Sequence, residues 1–66
     1  MNLLEIKRAV SEGLIVCWGT RDYVVEHVRN GDRYFIKSLA TGHAIALTWS
    51  DGLTLNGKEE EFFVSP

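Results

Sequence analysis

Apolar residues in this chain fall in short runs, and a glycine stands at every break between them. Gly13 and Gly19 bracket residues 14–18, and Asn30-Gly31, Thr41-Gly42, Asp51-Gly52 and Asn56-Gly57 divide the rest into segments rich in Val, Ile, Tyr, Phe and Trp. Glycine reaches the positive φ angles that tight turns require, so this spacing predicts a meander of antiparallel strands over residues 14–65. Residues 2–12 follow a different period. Leu3, Ile6 and Val10 recur at intervals of three and four, with Leu4 and Ala9 widening the stripe, which predicts a helix. Asn2 suits its N-cap, Glu5 completes a capping box, and Gly13 suits its C-terminus. The competing reading of this segment is a disordered arm.

The turns can be tested against one another. A two-residue Asn30-Gly31 turn sets Val25 opposite Ile36 and His27 opposite Tyr34. A two-residue Thr41-Gly42 turn sets Ile36 opposite Leu47, Tyr34 opposite Trp49 and Ser38 opposite Ile45. A four-residue loop over 19–22 sets Trp18 opposite Tyr23 and Val16 opposite Val25. Together these yield one continuous apolar face: Leu14, Val16, Trp18, Tyr23, Val25, Tyr34, Ile36, Ile45, Leu47 and Trp49. A one-residue slip at any turn would move that strand's apolar set to the wrong side. A three-residue loop over 50–52 would add Leu53 opposite Trp49 and Leu55 opposite Leu47. For residues 58–65 two readings stand: a last strand over 62–64 pairing with an edge, or a helical turn capped by Asn56 through Glu59.

The expected architecture is therefore α+β in one domain, residues 1–66: a helix over 2–12 packed on a curled antiparallel meander of four to five strands. If the C-terminal strand closes the sheet, a small SH3-like barrel results. The opposite sheet face is mixed, with Ile15, Cys17, Val24, Val28, Phe35 and Leu39 beside Glu26, Arg33, Lys37, Ala44 and Ala46. One helix covers only one face of a sheet. An apolar strip left open on the other face would mark a binding or dimer surface.

Size and charge narrow the partners. At 66 residues the chain sits near the lower limit for folding without a staple, so burying a second apolar face by self-association would help. Cys17 is the single cysteine, which excludes an intramolecular disulfide and suits a reducing compartment. Glu5, Lys7, Arg8 and Glu12 make the first twelve residues unlike a signal peptide, and no apolar run approaches the roughly 20 residues that span a bilayer. The expectation is a soluble cytoplasmic protein without membrane partners. The formal charge of −2 divides into +1 over residues 1–49 and −3 over residues 50–66, where Lys58 stands against Asp51, Glu59, Glu60 and Glu61. Neither value makes the basic footprint that duplex DNA requires.

Candidate chemistry fails on geometry in this register. Cys17 and His27 point to opposite faces, so they form no thiol–imidazole dyad. Cys17 reads as a small buried hydrophobe. His27 and His43 lie roughly 20 Å apart along the strands, at about 3.3 Å per residue, too far to share a metal. His27 reads instead as a strand-end residue packed on Tyr34. Glu59 to Glu61 read as a solvated acidic stretch that discourages edge pairing. No nucleophile elbow, calcium loop or phosphate-binding glycine pattern is present. The expectation is a protein that is not an enzyme and uses no cofactor or metal.

The aromatics Trp18, Tyr23, Tyr34, Phe35 and Trp49 with nearby Arg and Lys suggest a surface for single-stranded nucleic acid. The register buries most of them as core, leaving Phe35 between Arg33 and Lys37. The leading expectation is thus a small interaction module that binds a protein partner or itself. Its face would be Val24, Val28, Arg33, Phe35 and Lys37, with Phe35 as anchor, and a homodimer is its simplest form. The alternative is weak binding of single-stranded RNA or DNA through Arg21, Arg29, Arg33, Phe35 and Lys37.

Overall fold

Asn2 starts the helix as its spacing predicts. In the computed structural model, which describes residues 1–66, helix α1 spans Leu3–Ser11. The Asn2 side chain accepts from the Glu5 N–H at 2.8 Å, and the Glu5 carboxylate accepts from the Asn2 N–H at 2.9 Å. Two of the helix's four unpaired N–H groups would otherwise compete for water here. At the other end Gly13 adopts φ +84°, and the Leu14 N–H reaches Ala9 O while the Gly13 N–H reaches Val10 O. That paired closure needs a left-handed residue, which is why glycine stands there.

The strands are β1 (Val16–Trp18), β2 (Thr20–Val28), β3 (Arg33–Ser38), β4 (Ala44–Ala46) and β5 (Phe62–Val64), in spatial order β4-β3-β2-β1-β5. All neighbours are antiparallel, and the sheet stays open: β4 and β5 are its two edges, so no barrel forms. The last segment is the expected strand over 62–64; the helical turn before it is a 3₁₀ turn over Glu59–Glu61 that starts at Lys58, not one capped by Asn56, whose side chain donates to Ala46 O.

The β2–β3 register is the expected one, with Val25 opposite Ile36 and His27 opposite Tyr34. Between β3 and β4 the pairing differs by two residues: Ile36 faces Ile45, not Leu47. The connection is a four-residue loop over 39–42, closed by Gly42 N–H to Ser38 O, rather than a two-residue turn. A two-residue slip keeps every side chain on its original face, so alternation alone does not detect it. Cys17 pairs with Val24 as the four-residue loop requires, but a bulge follows and Trp18 pairs with Thr20.

Beyond β4 the expected three-residue loop is also corrected. Thr48 bridges Leu55, and Trp49 N–H donates to Thr54 O, so the loop covers residues 50–53. Asp51 sets this length by accepting from the Leu53 and Thr54 N–H groups at 2.8 and 2.9 Å and from the Thr54 hydroxyl at 2.6 Å. The Thr54 hydroxyl first, then the Thr54 and Leu53 amides, hold the Asp51 carboxyl below its ordinary range. The extra residue leaves Leu53 78% exposed.

Ile6 and Ala9 of α1 pack against Val16, Val25, Ile36, Leu47 and Phe62, all on one sheet face. Four of the ten residues of the expected core face lie outside this cluster: Leu14, Tyr23, Ile45 and Trp49 are exposed, as is Leu4 of the helical stripe. α1 packs chiefly over β1 and β2, so Ile45 and Trp49, at the β4 end of the face, lie beyond its cover. Trp18 packs at the border of the cluster, with Phe62 at 6.5 Å and Tyr23 edge-on at 5.5 Å. Its indole N–H is buried without an acceptor, directly against Gly57.

Candidate functional site

The pairings place all five expected site residues on the sheet face that the helix leaves bare. Val24 pairs with Lys37, Glu26 with Phe35, and Val28 with Arg33. Extended across the sheet, one row reads Phe63, Cys17, Val24, Lys37, Ala44, and the next reads Glu26, Phe35, Ala46. Val28 is 42% exposed, Arg33 is exposed, and Val24, Phe35 and Lys37 are half-buried. Phe35 lies between Glu26 and Ala46 in its row of the sheet.

Both signs of charge rim this face. Lys37 Nζ lies 3.7 Å from Glu26 Oε1, with both side chains about four-tenths exposed, so the pair contributes at most about 1 kcal/mol. Its value lies in pattern: cation and anion alternate around an apolar centre. Cys17 is buried at one end of the face, between Phe63 and Val24, and His27 lies on the helix side, so the two do not meet.

His27 takes a different role. Its ring stacks on Tyr34 at 4.2 Å with planes 6° apart, and Lys7 Nζ sits 5.1 Å from the Tyr34 ring centre. His27 Nε2 and Asp32 Oδ1 are 2.7 Å apart. Asp32 is the single non-glycine residue with positive φ (+50°), and this contact helps hold the β2–β3 turn. His43 lies between the β3–β4 loop and β4, far from His27 along the strands, and no group of three or more His, Cys, Asp or Glu is placed to hold a metal ion.

An open groove of about 610 Å³ adjoins the bare face and brings Phe35 and Arg33 together with Trp49, Tyr34 and Lys7. Trp49 is 64% exposed in it. Its membership was not legible from alternation, which assigns Trp49 to the core. Its proximity to the Asp51-Gly52 break, where the chain turns away from the sheet, was the one available signal. Arg21 lies near the start of β2 and Arg29 just past its end, about 26 Å apart at 3.3 Å per residue, so the two do not gather in one cluster around Phe35. No helix is long and apolar enough to cross a membrane. Neither protein-family models, nor curated protein sequences, nor solved structures provide a match to this chain.

Proposed function

We propose that the chain is a small non-enzymatic interaction module whose bare sheet face, centred on Phe35 with Val24, Val28, Arg33 and Lys37, packs against a second copy of itself. The observation that carries this reading is the uncovered face. The accessible surface is 4652 Å², about a tenth above the roughly 4,200 Å² expected for a 7.5 kDa folded monomer. Only eight residues are buried, so the core is thin and a second layer would contribute much of the missing burial.

Charge pattern favours a copy over an unlike partner. In a two-fold arrangement the same patch meets itself, and a face holding Glu26 beside Lys37 and Arg33 can set anion against cation. A face about 19 Å wide and about 20 Å along the strands gives roughly 400 Å² of projected contact per copy, which belongs to the weak, reversible class of interfaces. Light scattering across a wide concentration range tests it. Association that Phe35→Asp abolishes and Leu53→Asp leaves intact supports the reading. A monomer at millimolar concentration overturns it.

The exposure of Trp49 beside Arg33, Phe35 and Lys7 favours a second reading, weak binding of single-stranded RNA or DNA along that groove. Oligonucleotide titration discriminates: this reading requires amide shifts along β3 that weaken steeply with salt.

A further inference from the structure

The helix side of the sheet carries a second feature, independent of the bare face. Past the end of α1, Trp18 and Tyr23 meet nearly at right angles, with planes at 77° and ring centres 5.5 Å apart. Two clefts share these rings as walls. One, of about 280 Å³, is completed by Gly19, Thr20 and Glu61; the other, of about 230 Å³, runs toward Ile45 and His43. Tyr23 is 39% exposed and stands between them.

An aromatic ring that borders such a cleft attracts a cation to its negative face. The Glu61 cleft has the charge to match. One Glu61 oxygen accepts the Lys58 N–H at 2.9 Å, the Met1 ammonium donates to the Glu59 carbonyl oxygen at 2.6 Å, and none of the Glu59, Glu60 and Glu61 carboxylates forms a salt bridge. Residues 50–66 carry a net charge of −3. The cleft's volume lies just below the roughly 300–1,000 Å³ of pockets that enclose whole drug-sized ligands, so it admits a headgroup. Gly19 lets the chain turn there at φ +71° with no side chain to fill the space.

We propose that the corner formed by Trp18, Tyr23 and Glu61 binds an alkylammonium group, such as a methylated lysine side chain or a free quaternary amine. The rings supply cation–π attraction, and Glu61 supplies the countercharge.

The test uses choline and its uncharged carbon isostere, 3,3-dimethylbutan-1-ol, titrated into the full chain and followed by amide and indole NMR shifts. Choline should saturate shifts at Gly19, Thr20 and Tyr23 with a Kd on the order of 1–10 mM, at least about threefold tighter than the alcohol. Tyr23→Leu should abolish the difference, and Glu61→Gln should weaken choline about twofold to fivefold. Equal binding of the two probes, or no saturable shift with choline, overturns the proposal; so does choline binding unchanged in Glu61→Gln. These readings need only the wild type and Glu61→Gln, so they hold even if Tyr23→Leu does not fold. Trimethyllysine amide binding more tightly than choline identifies a peptide source, and the reverse order identifies a small molecule.

Discussion

Replacing Gly57 with alanine sets two effects of opposite sign against each other, and the packing around Trp18 decides between them. Gly57 is the one glycine of the six whose backbone does not require positive φ, so by conformation alone alanine should stabilise the fold by about 0.4–1 kcal/mol through the unfolded state. A Cβ there would lie 2.7 Å from Trp18 Nε1, 3.3 Å from its Cε2 and 3.5 Å from Phe62 Cε2. An ordinary contact of 3.4 Å requires the indole to retreat by about 0.7 Å. Trp18 is held between Tyr23 and Phe62, and forcing such a ring costs about 1–3 kcal/mol. The midpoints of the two ranges leave a net loss of about 1.3 kcal/mol. For a chain of this length that lowers Tm by about 5–10 °C. Thermal unfolding by circular dichroism measures it, and the Trp18 indole resonance should shift with it. Gly42→Ala is the control: it is strained at φ +79° but meets nothing within 4 Å, so it should destabilise without moving that resonance. A Gly57→Ala variant as stable as the wild type, or more so, would refute the argument.

Three further outcomes follow from the same geometry. Leu47→Ala should cost about 2–5 kcal/mol, while Ile45→Ala, two residues away on the same face but 47% exposed, should cost under about 1 kcal/mol; chemical denaturation compares them. Asn2→Ala should lower stability by about 0.5–2 kcal/mol, visible as loss of helical ellipticity and faster exchange of the Glu5 amide. Because the folded-state pKa of Asp51 is depressed, its contribution is present above the ordinary carboxylate range and is lost as pH falls through its lowered value. The Leu53 and Thr54 amides should therefore exchange faster in strong acid, and Asp51→Asn should flatten that dependence.

The parts legible in the sequence were those where a local rule and a long-range rule meet. The capping box at Asn2 and Glu5 and the closure at Gly13 are local, and the helix they bound is as expected. Asn30-Gly31 sits between strands with strong alternation, so its register followed. The β3–β4 slip was invisible because a shift of two preserves the pattern on both faces. The exposure of Tyr23, Ile45 and Trp49 was invisible for another reason: alternation marks which face is apolar but not how much of it a short helix covers. For the candidate site, parity alone brought Val24, Val28, Arg33, Phe35 and Lys37 to one face. The meeting of Trp18 with Tyr23 and a last strand over 62–64 were both legible, whereas the bulge after Cys17, which pairs Trp18 with Thr20, has no residue signature here.

The central claim, that the bare face packs on a second copy, is tested most directly by isotope-filtered NOE spectroscopy on a mixture of labelled and unlabelled chains at millimolar concentration. The account predicts contacts from the Phe35 ring of one copy to the methyl groups of Val24, Val28 or Ala46 of the other. Absence of intermolecular contacts, or contacts confined to Trp49 and Leu53, would contradict it.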